Sequence, residues 1–286
     1  MLNARQVVEA TGGTPMSGHP NQPFRAITTD TRTLQPGDLF VPLKGETFDG
    51  HDHVQKALEA GAAGFLWEED RPDPAFDWPE ATVVITVPDT LRAYGDIARA
   101  WRRLVNCLVV AVTGSSGKTS TKEFLAETLR RNWRVVKTEA NFNNEVGVPR
   151  TLLELQPGDQ IAIVEMGMRG AGQIAYLCDI AEPDFGVITS IGPAHLELLG
   201  SMENIAAAKW ELADYLAENN GQLIIPGDDA ALRGLGGAFP HDRLHYTSLD
   251  PANDWAELVV TEQWLEDGKQ RFRYRDQPGS ERTATI

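Results

Sequence analysis

Cysteine is scarce in this chain of 286 residues, which carries only Cys107 and Cys178. So few cysteines exclude a disulfide framework and indicate a reducing compartment. Basic residues are also few, with 26 Lys and Arg against 41 Asp and Glu and a formal net charge of −15. A general nucleic-acid binder needs a basic face to displace counterions from phosphates, so that class is excluded. An anionic ligand must then be held by a few local cations and backbone amides, not by the overall field. Long apolar runs are missing too. The longest, Cys107 to Val112, is far too short to cross a bilayer. The opening MLNARQVVEATGG reads as a short amphipathic helix stopped by Gly12-Gly13, with no apolar segment suited to a signal peptide. The expectation is a cytoplasmic protein that neither inserts into a membrane nor binds nucleic acid.

What is present is an α/β pattern, in a length that suggests two domains. In the first, strand-like pieces at 26–28 and 39–41 flank the turn Gln35-Pro36-Gly37-Asp38, and a helix over 53–60 stops at Gly61. Short strands at 64–67 and 83–86 follow, separated by an acidic, proline-rich surface loop over 68–80. The expected boundary lies near residue 88, with a helix over 91–104 opening the second domain. Beyond it, short continuous apolar strands alternate with helices, the pattern of a mostly parallel sheet covered on both faces. After about residue 244 two strands, 257–261 and 271–274, suggest an antiparallel hairpin. There are no internal repeats.

The stretch Val109-Val-Ala-Val-Thr-Gly-Ser-Ser-Gly-Lys-Thr-Ser120 runs from a buried strand through a glycine-rich turn into a helix. Such a turn offers backbone N–H groups and a positive dipole end to phosphate oxygens. The nucleotide-binding candidates are therefore Gly114, Ser115, Ser116, Gly117, Lys118, Thr119 and Ser120. Lys118 suits the outer phosphates, and the Thr119 hydroxyl suits Mg²⁺. Position 112, the first glycine of the common G-x-x-x-x-G-K-[ST] pattern, is Val112 here, which points to a subclass with a shorter loop. Magnesium on a loop hydroxyl usually has an anionic partner at the end of a neighbouring strand. Glu165, closing Ile161-Ala-Ile-Val-Glu165, is the candidate, although a helix cap or a solvated carboxylate fits the same residue. His195 falls just past the next strand, on the edge where ligands collect in open α/β sheets, and also fits a surface histidine. Lys209 lies in a helical run and by spacing alone is a solvated cation. Asn141-Phe-Asn-Asn-Glu-Val-Gly-Val-Pro149 by composition is turn chemistry.

Taken together, Thr113-Gly-Ser-Ser-Gly-Lys-Thr119, Asn141 to Pro149, Glu165-Met-Gly-Met168 and Gly192-Pro-Ala-His-Leu-Glu197 resemble the Mur ligases, most closely the MurF type. Thr29-Asp-Thr-Arg32, Pro36-Gly-Asp-Leu-Phe40 and Leu43 to His51 resemble that family's nucleotide-sugar domain. The resemblance implies a nucleotide-sugar domain over 1–88 and an incomplete ATP-binding domain over 89–286. It also implies a third, Rossmann-like domain that this stretch lacks, hence a fragment with little turnover by itself. The implied activity is ATP-dependent joining of D-alanyl-D-alanine to UDP-N-acetylmuramoyl-tripeptide through an acyl phosphate, with release of ADP and phosphate, by a monomer. By the same resemblance Thr119 and Glu165 serve one Mg²⁺, and His195 serves a second together with Lys209 carbamylated by CO₂. Asn144 falls at the reacting groups, and Thr31, Arg32 and Lys44 fall in motifs associated with UDP-sugar binding. Competing readings are another Mur-type or folylpolyglutamate-synthase-like ligase, or a UDP-sugar- and nucleotide-binding module without turnover.

Overall fold

The computed structural model describes residues 1–72, 74–194, 196–276 and 280–285. Two compact units divide the chain: Met1–Cys107 with Glu145–Gly158, and Leu108–Asn144 with Asp159–Ile286.

The first unit contains α1 (Ala4–Thr11), β1 (Thr14–Ser17), β2 (Ile27–Thr28), β3 (Leu39–Phe40), α2 (Val54–Glu59), β4 (Gly64–Glu68), β5 (Val83–Val87) and α3 (Thr90–Val105). Asn3 starts α1 with a reciprocal capping box to Gln6, and Gly12 ends it in the left-handed region. The sheet order is β1-β5-β4-β3-β2, parallel except for β1, which pairs antiparallel with β5. Strand β1 was not anticipated, because Thr-Pro-Met-Ser lacks an apolar alternation and is mostly exposed. The 68–80 segment is more than a surface loop. Its Trp78 packs edge-on and its Phe76 tilted against Phe65, closing a core built from Phe40, Val54, Phe65 and Trp67.

The division falls after Cys107 rather than near residue 88. Helix α3 buries Ala93, Tyr94, Ile97, Ala98 and Trp101 and packs against α1 and against α5 (Gly147–Leu153). The Trp101 indole N–H donates to Leu155 O at 2.9 Å, tying the helix to the segment after α5. An apolar helix sequence does not say which sheet it covers, and here α3 and α5 both join the first unit.

The second unit runs through β6 (Leu108–Thr113), α4 (Lys118–Leu129), β7 (Val135–Lys137), β8 (Ile161–Glu165), α6 (Gln173–Ala181), β9 (Phe185–Ile188), α7 (Leu196–Leu199) and α8 (Met202–Glu218). It continues with β10 (Gln222–Pro226), α9 (Ala230–Gly236), β11 (Leu244–Ser248), β12 (Leu258–Glu266), β13 (Lys269–Arg275) and β14 (Arg282–Thr285). One sheet takes all of these strands in the order β14-β13-β12-β11-β10-β9-β6-β8-β7. From β7 to β12 the pairing is parallel; β12–β13 and β13–β14 are antiparallel. The expected hairpin is therefore the outer edge of the parallel sheet, continued by β14. The interior strands β6 and β8 are largely buried, as a sheet covered on two faces requires. Among the described residues no helix is long and apolar enough to cross a membrane.

Candidate functional site

Strand β6 delivers the glycine-rich loop, and the sheet register explains its missing glycine. Val112 is fully buried inside β6, opposite Glu165 on β8 and Val187 on β9. It packs with Ala126, Ile161 and Ile163, so position 112 belongs to the core and the loop starts only at Gly114. Gly114 has φ 144°, and a Cβ there would lie 2.0 Å from Thr189 Oγ1, so only glycine fits. Gly117, with φ 80°, turns the chain into α4.

The loop is fastened to the segment after β9. Ser115 N donates to Ser190 O at 2.9 Å, and the Ser115 hydroxyl donates to Gly192 O at 2.9 Å while accepting from Gly192 N at 2.8 Å. Ser116 N donates to Ser190 Oγ at 3.2 Å. Ile191 N in turn donates to Asp229, whose carboxylate caps α9. The Lys118 ammonium donates to Gly114 O at 2.8 Å and so curls over the loop. Ser116, Thr119 and Ser120 are exposed, with Thr119 in the first turn of α4.

Glu165 closes β8 with only 2 % of its surface exposed. A carboxylate buried this deeply needs partners, and it has three. Thr119 Oγ1 donates to Oε2 at 3.0 Å, Asn143 Nδ2 donates to Oε1 at 2.8 Å, and the Lys122 ammonium stands 3.7 Å from Oε2. Its backbone N–H donates to the buried Thr138 hydroxyl at 3.0 Å. Gly167 N donates to Asn143 O at 2.8 Å, which sets the asparagine loop against β8.

Lys122 and Asn143 were not singled out from the sequence. Lys122 sits one helical turn beyond Thr119, so both side chains share a face of α4. That spacing was the available signal for a lysine turned inward. Asn144, the residue the family resemblance pointed to, is exposed, whereas its neighbour Asn143 reaches Glu165.

Lys209 is not a solvated cation. It lies in α8 with 2 % of its surface exposed, beside the buried Ala208 and Trp210. Burial, and then the Lys118 ammonium, push its pKa down from 10.5 to about 8. The next charged residue, Glu211, turns away to accept from Gly172 N and Ala175 N at the start of α6. His195 lies outside the described residues.

In the first unit Thr31 is half-buried, while Arg32 and Lys44 are exposed. Asp30 holds the Arg32 guanidinium at 2.7 Å, and that bond keeps the Asp30 carboxyl down at about 2. Lys44 pairs through its backbone with Asp49.

Among the described residues no group of three or more His, Cys, Asp or Glu forms a ready metal cage. Thr119 with Glu165 supplies one hydroxyl and one carboxylate. That hard-oxygen set suits Mg²⁺, which takes one or two protein oxygens and completes its shell with phosphate oxygens and water. The donor set fits the ion.

The sequence pattern of the Mur ligase middle domain matches residues 112–274, and that of the Mur ligase family catalytic domain matches 23–102. The UDP-N-acetylmuramoyl-tripeptide–D-alanyl-D-alanine ligase of Bacillus subtilis (strain 168) is 43 % identical over 231 residues, which cover 81 % of this chain and 49 % of that protein. A crystal structure of MurF from Acinetobacter baumannii superposes with a TM-score of 0.85 at 30 % identity, covering 99 % of this chain and 60 % of the other. MurF ligase from Thermotoga maritima in complex with ADP gives 0.78 at 30 % identity, covering 91 % and 58 %. The chain spans about half the length of the curated relatives it matches. With the middle-domain pattern alone matching more than half of its residues, the chain belongs to the Mur ligase family.

Proposed function

We propose that this chain carries the nucleotide site and the UDP-sugar unit of a ligase that joins D-alanyl-D-alanine to UDP-N-acetylmuramoyl-tripeptide. The observation that carries the reading is the Gly114–Thr119 loop on β6 with the buried Glu165 hydrogen-bonded to Thr119. The MurF relatives, one of them in complex with ADP, support ATP as the nucleotide and the dipeptide as acceptor. A peptide carboxylate is a poor electrophile at neutral pH, because an oxide-like oxygen would have to leave. Transfer of the γ-phosphoryl group to it forms an acyl phosphate and releases ADP. The D-Ala-D-Ala amine then attacks the carbonyl carbon, a tetrahedral intermediate collapses, and inorganic phosphate departs as the amide forms.

The loop amides of 114–119 and the α4 dipole cradle the phosphates. Lys118 exchanges Gly114 O for a phosphate oxygen and neutralises charge that builds in transfer. Thr119 and Glu165 would hold Mg²⁺, which would supply charge neutralisation to the phosphoryl oxygens.

Lys209, as its carbamate, and His195 are assigned to a second Mg²⁺. The lowered lysine pKa supports this assignment, because CO₂ reacts only with the neutral amine. Asn144 is assigned to the reacting groups, and Thr31, Arg32 and Lys44 to the UDP-sugar. The reading makes the protein a cytoplasmic monomer, where ATP and UDP-linked precursors are available. The test is product formation by the protein as its gene encodes it, given ATP, Mg²⁺, UDP-N-acetylmuramoyl-tripeptide and D-Ala-D-Ala. Pentapeptide product matched by phosphate release is expected; ATP-dependent addition of a single amino acid instead would assign another member of the family.

A further inference from the structure

The buried Glu165 has a second cation at hand that the reaction above does not use. Lys122 is fully buried, an uncommon place for a lysine, and four alternating charges run through it from the outside to the nucleotide site. Lys137 pairs with Glu123, Glu123 Oε1 lies 3.4 Å from Lys122 Nζ, and Lys122 Nζ lies 3.7 Å from Glu165 Oε2. The same ammonium donates to Ala140 O at 3.2 Å. Ala140 takes the left-handed region, with φ 47°, immediately before the asparagine loop whose Asn143 binds the other oxygen of Glu165. Lys122 thus holds Glu165 and the approach to Asn143 at once.

We propose that Lys122 is a positioning residue that serves as a built-in counter-cation of Glu165, and that by sharing this carboxylate it weakens divalent-metal binding to the nucleotide-free protein. The inference rests on the reading of Glu165 as a metal ligand. Oε2, which faces Lys122, is also the oxygen bonded to Thr119, so an ion seated at Thr119 and Glu165 lies within a few ångströms of the ammonium. Repulsion at that distance is substantial in a partly buried site. Without phosphate oxygens to add attraction, the ion binds weakly; with them it binds well. The metal therefore arrives and leaves with the nucleotide. A lysine that served packing alone would have no such effect.

The experiment is Mn²⁺ binding by electron paramagnetic resonance on this chain, without nucleotide and with ADP, for the parent, Lys122→Gln, Glu123→Gln and Glu165→Gln. Lys122→Gln keeps a donor for Ala140 O but removes the charge. It is expected to tighten Mn²⁺ without nucleotide by at least about fivefold, and to lower the thermal stability of the metal-free protein. Glu123→Gln removes the charge on the far side of Lys122, leaves more of the ammonium field on Glu165, and is expected to loosen Mn²⁺ about twofold or more. Because Glu123 is partly exposed, this variant stands in if Lys122→Gln does not fold. Unchanged or weaker Mn²⁺ binding in Lys122→Gln, or unchanged or tighter binding in Glu123→Gln, would overturn the inference alone. Equal Mn²⁺ binding with ADP in the parent and Glu165→Gln would overturn the metal reading and this inference with it.

Discussion

Replacing Lys209 by methionine removes the charge and nearly preserves the volume. The buried amine has its pKa lowered from 10.5 to about 8, first by burial and then by Lys118. At about 1.4 kcal/mol per pH unit, this corresponds to up to about 3 kcal/mol of native-state penalty near pH 7. Below about pH 8 the ammonium is present in both the folded and the unfolded chain, and the penalty is fully felt. Between about 8 and 10.5 the folded protein gives up the proton first and the penalty shrinks; above 10.5 it is gone. Lys209→Met should therefore be more stable than the parent at pH 7 by up to about 3 kcal/mol, with the gap closing across that window. Urea denaturation followed by circular dichroism in CO₂-free buffer measures the gap, and effects of pH common to both proteins cancel. Bicarbonate should stabilise the parent, because carbamylation replaces the buried ammonium, and should leave the variant unchanged. A variant equal to or less stable than the parent at pH 7, with a gap indifferent to pH, would refute the reasoning.

Three further outcomes follow from the site. Gly114→Ala places a Cβ 2.0 Å from Thr189 Oγ1 at φ 144° and should weaken ADP binding by more than about tenfold in titration calorimetry, a loss of over about 1.4 kcal/mol. Lys118→Ala should lower ATP-dependent ligation by about 10² to 10³ while UDP-N-acetylmuramoyl-tripeptide binding stays within about twofold of the parent, since Lys118 belongs to the second unit and the residues proposed for the UDP-sugar, Thr31, Arg32 and Lys44, to the first. Arg32→Ala should give the reverse pattern, weakening UDP-sugar binding by about 1–2 kcal/mol in calorimetry and leaving ADP binding as it was.

The alternation of short apolar strands with helices was enough to read the parallel sheet of the second unit, because strands covered on both faces cannot hide their composition. The glycine-rich turn between β6 and α4 was legible for a similar reason: Gly114 and Gly117 each take a backbone conformation that glycine favours. Membership of α3 and α5 in the first unit was not legible, since the face each helix buries is set by distant partners such as Leu155. The inward lysines were the hardest to read. Composition makes Lys122 and Lys209 solvent cations, and only the tertiary placement of Glu165, Ala140 and the α8 core reverses that. That Asn143 reaches Glu165 was hidden for a similar reason: residues in a loop point in directions that no periodicity records.

Oxygen tracing tests the central claim most directly. UDP-N-acetylmuramoyl-tripeptide labelled with ¹⁸O in both oxygens of its terminal carboxylate is turned over with unlabelled ATP and D-Ala-D-Ala, and the inorganic phosphate is analysed by mass spectrometry. An acyl phosphate requires one carboxylate oxygen to leave with phosphorus while the other remains in the new amide. The account predicts one ¹⁸O per phosphate released. Unlabelled phosphate accompanying full product formation would contradict it.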